Sequence, residues 1–203
     1  TVRTREFVDA LRAKTTLPVE LEDERIYASE NGLWVSYSQY PKNLYNALIA
    51  IEDNRFYQHN GVDILGTGKA VINFFLRFED VRGASTITQQ LVKNLTGDNE
   101  VRIQRKVQEI LRSINLDKEK SKEEILEMYL NNIFLGNNCY GVQTASQLYF
   151  GKDGSELTLA ERASLIGITN NPSKYGLYND PFRGIMDCPL NEGEGRYFVG
   201  AAK

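Results

Sequence analysis

The sequence predicts a mostly α-helical fold, and three observations carry that prediction. Ser121-Lys122-Glu123-Glu124 and Thr158-Leu159-Ala160-Glu161 are capping boxes, each opening an apolar run at helical spacing. Leu44, Ala47, Leu48 and Ile51 also recur at helical spacing, just after Pro41. The one convincing strand signal is Asn31-Gly32, an Asn-Gly pair between two alternating segments. At 203 residues the chain suits one domain, or a domain with a small lobe, and is long enough to bury a real core.

Taken in order, residues 4 to 14 allow a short helix through Phe7, Val8 and Leu11. A β-hairpin is expected from Arg25–Glu30 and Leu33–Ser38 around Asn31-Gly32. The helix after Pro41 runs into Glu52; Gly61 then breaks the path and Asp63 caps a new helix. From 64 to 79, Ala70, Val71, Ile72, Phe74, Phe75, Leu76 and Phe78 crowd between Lys69 and Arg77. That apolar set is too broad for one amphipathic stripe and too short to cross a bilayer, so it reads as a buried core helix or an interfacial segment. Ser85 and Thr86 are cap residues for a helix carrying Ile87, Leu91, Val92 and Leu95. Ile103, Val107, Ile110 and Ile114 form the next apolar stripe. Ser121 opens a helix through Ile125, Leu126, Tyr129, Leu130 and Ile133. The helix opened at Thr158 stops near Asn170-Asn171-Pro172, because the ring of Pro172 forbids continuation.

Composition excludes several classes. A net charge of −3 argues against a polybasic nucleic-acid binder. No run of ~18 apolar residues is present, and no stretch reads as a secretory leader. Cys139, Cys188 and the single histidine, His59, are too few for the usual zinc site.

Two stretches hold chemistry. Ile51 to Gly61 contains adjacent carboxylates Glu52 and Asp53, Arg55, two aromatics and His59. A carboxylate at a helix end beside apolar and aromatic groups is partly desolvated, the condition under which a glutamate serves as general base or acid. A charged helix end with a solvated Glu-Asp pair is the plainer alternative. Arg102, Arg105, Lys106 and Glu109 follow i, i+3, i+4, i+7, so three cations and one carboxylate share a helix face. Such a face suits a group that gains negative charge; it also suits a solvated helix with Arg105–Glu109 pairing.

The motifs narrow this choice. Glu52-Asp53-x-x-Phe56-x-x-His59-x-Gly61, Gly83-x-Ser85-x-Ile87-Thr88-Gln89-Gln90 and Arg105-Lys106-x-x-Glu109 stand in that order. Together they resemble the peptidoglycan glycosyltransferases, the transglycosylase domains of class A penicillin-binding proteins and their monofunctional relatives. Tyr129-Leu130-Asn131, Tyr149-Phe150-Gly151-Lys152 and Asn171-Pro172-Ser173-Lys174-Tyr175 are similar to that family too. The resemblance covers roughly residues 24 to 180. It implies a lysozyme-like helical domain over 1–180, with a small jaw lobe at about 62–82, and an atypical tail at 181–203. No Ser-x-x-Lys is present, so no transpeptidase site is expected in these residues.

The resemblance implies polymerisation of lipid II into β-1,4 glycan with inversion at the anomeric carbon, at the outer face of the bacterial cytoplasmic membrane. Glu52 is the expected general base and Glu109 the second catalytic carboxylate. Ser85, Gln89 and Lys93 are implied to bind the sugar-diphosphate, with Arg105 and Lys106 beside them; Arg102 joins them by helix geometry alone. Asp53 and Arg55 are expected to contact substrate, and Phe74, Phe75 and Phe78 to contact the membrane surface. Mg2+ or Mn2+ at Glu109 is the candidate cofactor. The growing glycan strand is the second substrate, moenomycin the expected inhibitor, and no nucleic acid is involved. Two alternatives stand: a muramidase or lytic transglycosylase on a related fold, and a non-catalytic membrane- or glycan-binding module.

Overall fold

A computed structural model describes residues 34–66, 85–96 and 103–170. These residues are mostly helical. The helices are α1 (Lys42–Glu52), α2 (Ile87–Thr96), α3 (Ile103–Glu119), α4 (Lys122–Asn132), α5 (Val142–Phe150) and α6 (Leu159–Asn170), with 3-10 turns at Tyr37–Gln39 and Phe56–Gln58. The expected segment at 4–14, the first hairpin arm, the apolar crowd at 70–78 and the tail lie outside the described residues.

The helix boundaries follow local chemistry. At α2, the Thr86 Oγ1 accepts from the Gln89 N–H at 3.2 Å, and the Gln89 Oε1 accepts from the Thr86 N–H at 3.1 Å. This reciprocal pair satisfies donors that a helix start leaves open. Ser121 with Glu124 and Thr158 with Glu161 close the expected capping boxes of α4 and α6. α5 ends on Gly151 in the left-handed region, with its N–H bonded to the Gln147 carbonyl. α6 ends at Asn170, before Pro172, as expected.

The second hairpin arm is corrected. No strand is present among the described residues; Trp34–Ser36 carries no regular structure, and Tyr37 and Ser38 belong to a 3-10 turn. The Ser36 N–H donates to Gln39 Oε1 at 2.9 Å, which closes the turn locally. The backbone of Val35 is satisfied by a side chain instead of a strand. Its N–H donates to Asn131 Oδ1 at 2.9 Å, and its carbonyl accepts from Asn131 Nδ2 at 2.9 Å. The Asn131 amide supplies the donor and acceptor that a neighbouring strand would have supplied.

The chain divides into two compact units. In the first, described over 49–66, 85–96 and 103–129, α2 packs on α3 around Phe56, Ile87, Leu91, Ile125, Leu126 and Tyr129, all fully buried. In the second, described over 34–48 and 130–170, α5 packs on α6 around Leu44, Val142, Ala145, Leu157, Leu165 and Ile166. Burial pushes the Tyr40 phenol and the Cys139 thiol above their ordinary ranges, so both stay protonated in this core.

The burial of α3 differs from its sequence pattern. Val107, Ile110 and Ile114 are only half-buried, while Glu109, Ser113 and Leu116 are buried. Gly61 explains the inward turn. Its φ is +83°, and a Cβ there would sit 2.3 Å from the Ser113 carbonyl oxygen. The loop after α1 therefore meets the α3 backbone where only glycine fits, and small Ser113 faces it.

Candidate active site

Glu52 ends α1 and is half-buried, with Oε2 accepting from Gln90 Nε2 at 2.7 Å. It lines an open cleft of about 210 Å³ with Ala50, Ile51, Asp53, Asn54, Asp63, Gly66, Ser85 and Thr86. The cleft sits at the start of α2, where the positive end of the helix dipole favours negative charge.

Asp53 is directed inward. Its two oxygens lie 3.0 and 2.9 Å from His59 Nε2, and Oδ2 also accepts from the Ile87 N–H at 3.1 Å. A carboxylate can only accept, so Nε2 carries the proton. Asp53 and His59 are each 8% exposed. Asp53, an expected substrate contact, lines the cleft and also ties the loop after α1 to the start of α2. Arg55 likewise faces Asp63, its Nε 3.5 Å from Oδ2. Asp63 caps the helical turn that follows, accepting from the Gly66 N–H at 2.7 Å.

The second cluster forms where α2 meets α3. Glu109 is buried, and its Oε2 accepts from Arg105 Nη1 at 2.7 Å. Its Oε1 accepts from Lys106 Nζ and from Gln89 Nε2, the latter at 3.3 Å. Lys106 also donates to Ser85 Oγ at 3.1 Å. The structure thus joins Ser85, Gln89, Arg105, Lys106 and Glu109 in one network. Lys93 is exposed in the last turn of α2. Arg102, Phe74, Phe75 and Phe78 lie outside the described residues.

The donor set at Glu109 does not fit a divalent cation. Both oxygens are taken by cationic or amide donors, and two positive charges already neutralise the carboxylate. Among the described residues no cluster of three or more His, Cys, Asp or Glu side chains is placed to hold a metal.

Two functional neighbours escaped the sequence reading. Gln90 meets Glu52, while Gln89 serves the α2 cap and Glu109. The Thr86-x-x-Gln89 capping box was the available signal. Lys122 donates to the His59 carbonyl at 2.8 Å and to Asp117 at 2.6 Å, and its ammonium sits 4.5 Å from the Phe56 ring centroid. It holds the loop that carries Asp53, a long-range role that its place in a helix start did not signal.

Comparison with known proteins fixes the lineage of this site. The family model described as Transglycosylase matches residues 20–186. The chain belongs to the transglycosylase family. It is a transglycosylase domain homologous to part of class A penicillin-binding proteins. It is 47% identical over 172 residues to penicillin-binding protein 1A of Clostridium botulinum (strain Langeland), covering 83% of this chain and 21% of that protein. It is 44% identical over 147 residues to penicillin-binding protein 1F of Bacillus subtilis, covering 72% and 21%. Penicillin-binding protein 1A of Neisseria lactamica is 42% identical over 158 residues, with 78% and 20% covered. The chain spans about a fifth of the length of these relatives. Among the described residues of this transglycosylase domain, no helix is long and apolar enough to cross a membrane.

Proposed function

We propose that this domain polymerises lipid II into β-1,4-linked glycan by a single inverting displacement. One observation carries the reading: Glu52 is half-buried at the end of α1 and lines the cleft, while Glu109 is buried and bound by Arg105 and Lys106. A half-buried carboxylate on the wall of a cleft is placed to take a proton. Glu52 takes the proton of the acceptor's 4-hydroxyl as that oxygen attacks the anomeric carbon of the lipid-linked donor. The bond to the diphosphate breaks, and Lys93, Arg105 and Lys106 stabilise the charge that grows on the leaving group. Glu109 holds Arg105 and Lys106 in place. No step is assigned to Mg2+ or Mn2+.

The donor carries a polyprenyl tail, so the reaction belongs at a membrane surface, the outer face of the bacterial cytoplasmic membrane. Phe74, Phe75 and Phe78 are the proposed contacts.

The test is incubation with purified lipid II in detergent and separation of products by gel. Polymer is expected from the wild type, with a loss on the order of 10²–10⁴ in Glu52→Gln. Retention of more than roughly a tenth of the rate would remove Glu52 as the base. Cleavage of preformed glycan without polymer would instead identify a lytic enzyme, and binding without turnover a non-catalytic module.

A further inference from the structure

Tyr129 on α4 has no exposed surface, yet its phenol reaches Gln90, the partner of Glu52. The O–H donates to Gln90 Oε1 at 2.9 Å, and Gln90 Nε2 lies 2.7 Å from Glu52 Oε2 and 3.4 Å from the Ser85 carbonyl. The chemistry of these partners dictates the sense of the chain. Glu52 and the Ser85 carbonyl accept, so the amide must present its NH2 to them. Its oxygen is then turned toward Tyr129. Burial pushes the Tyr129 phenol well above its ordinary range, and the Glu52 carboxylate adds to this. Tyr129 is therefore a permanent donor that locks the amide of Gln90 in one orientation.

We propose that Tyr129 is a positioning residue for glycosyl transfer, acting through Gln90 to hold the Glu52 carboxylate in a single orientation at the cleft. This rests on Glu52 being the general base. A fully buried tyrosine supplies the far end of the relay, so the orientation persists as substrate enters.

The experiment is a double-mutant cycle with Tyr129→Phe and Gln90→Leu, read as kcat and KM on lipid II, with melting temperatures alongside and Glu52→Gln as reference. Tyr129→Phe is expected to lower kcat about 10-fold with KM little changed, and Gln90→Leu to lower it by roughly 10- to 100-fold. The double variant should match Gln90→Leu alone, because the hydrogen bond from Tyr129 ends on that amide. A purely structural role would move the melting temperature and leave kcat of the folded protein alone. Wild-type kcat in Tyr129→Phe, or additive losses in the double variant, overturns the relay. Should Tyr129→Phe not fold, wild-type kcat in Gln90→Leu overturns it equally. If Glu52→Gln itself stays active, the base assignment falls; if Glu52→Gln is dead while the other variants run at wild-type rate, only the relay falls.

Discussion

The Asp53 carboxylate and the His59 imidazole form a buried pair, Nε2 lying within 3.0 Å of both carboxylate oxygens, and Asp53 extends that pair to the backbone N–H of Ile87. Two motifs separated in sequence are joined by one acid. Asp53→Ala leaves two buried donors without an acceptor, at about 1–3 kcal/mol each. A protein of this length loses roughly 2–4 °C of melting temperature per kcal/mol. Circular dichroism melts should therefore show a large fall for Asp53→Ala and a smaller one for Asp53→Asn, which keeps one acceptor. An unchanged melting temperature in Asp53→Ala would refute the scaffold role.

Gly61 and Gly151 make a matched comparison. Both have positive φ, +83° and +64°, but a Cβ at Gly61 meets the Ser113 carbonyl oxygen at 2.3 Å and one at Gly151 meets nothing within 4 Å. Gly151→Ala carries only backbone strain, about 1 kcal/mol. Gly61→Ala adds a clash with backbone and should cost about 2–4 kcal/mol. Urea denaturation of the two variants measures the difference. Equal losses would show that the loop and α3 do not meet as closely as described.

The cationic network yields a binding prediction. Arg105 is held by buried Glu109, whereas Lys93 is exposed on α2. Charge-assisted hydrogen bonds to a phosphate group contribute ~1.5–3 kcal/mol, so Arg105→Ala and Lys93→Ala should each weaken moenomycin binding by roughly 10- to 100-fold. Fluorescence polarisation with a labelled inhibitor reads this directly. Wild-type affinity in both variants would return these side chains to an ordinary charged surface. Because the Glu109 oxygens are occupied by donors, added Mg2+ or Mn2+ is expected not to restore activity to Glu109→Gln. Restoration would show a metal role that the donor set does not suggest.

Acid should weaken the second unit. At Asp153 the Ser155 N–H is the main cause of a lowered pKa, followed by the Ser155 hydroxyl and the Gln143 amide. At Glu161 desolvation, the largest single cause, raises the value, but the bonds from Lys152 and Thr158 together outweigh it and the net direction is down. A carboxylate depressed in the folded state adds stability above its unfolded pKa, and that stability is lost as pH falls through the folded pKa. Calorimetric melting temperatures should hold above about pH 5 and decline below about pH 4. The pair Asp153→Asn and Glu161→Gln should flatten that decline. An unaltered slope would clear both groups.

Much of the helical framework was legible because helix signals are local. Capping boxes at Ser121 and Thr158 and the apolar periodicity before Glu52 involve residues within one or two turns, and each helix stands where those signals put it. The hairpin arm was misread because the Val35 backbone is satisfied by Asn131, which lies 96 residues away. Alternation in a short segment cannot reveal such a partner.

The sequence by itself determined the chemical inventory: which carboxylates, cations and amides exist, and which helices carry them. The motifs from Glu52 to Glu109 also established the family. Tertiary structure decided how those groups divide the work. Neighbouring Gln89 and Gln90 point to different partners because successive helical residues are rotated by about 100°. One is buried against Glu109, and the other spans the gap between Glu52 and Tyr129. Likewise Glu52 and Asp53, adjacent in the chain and both on the cleft, take different partners at the end of α1: one accepts from Gln90, and the other from His59 and the Ile87 N–H. Identity is written along the chain, but the direction of a side chain is settled by what packs against it.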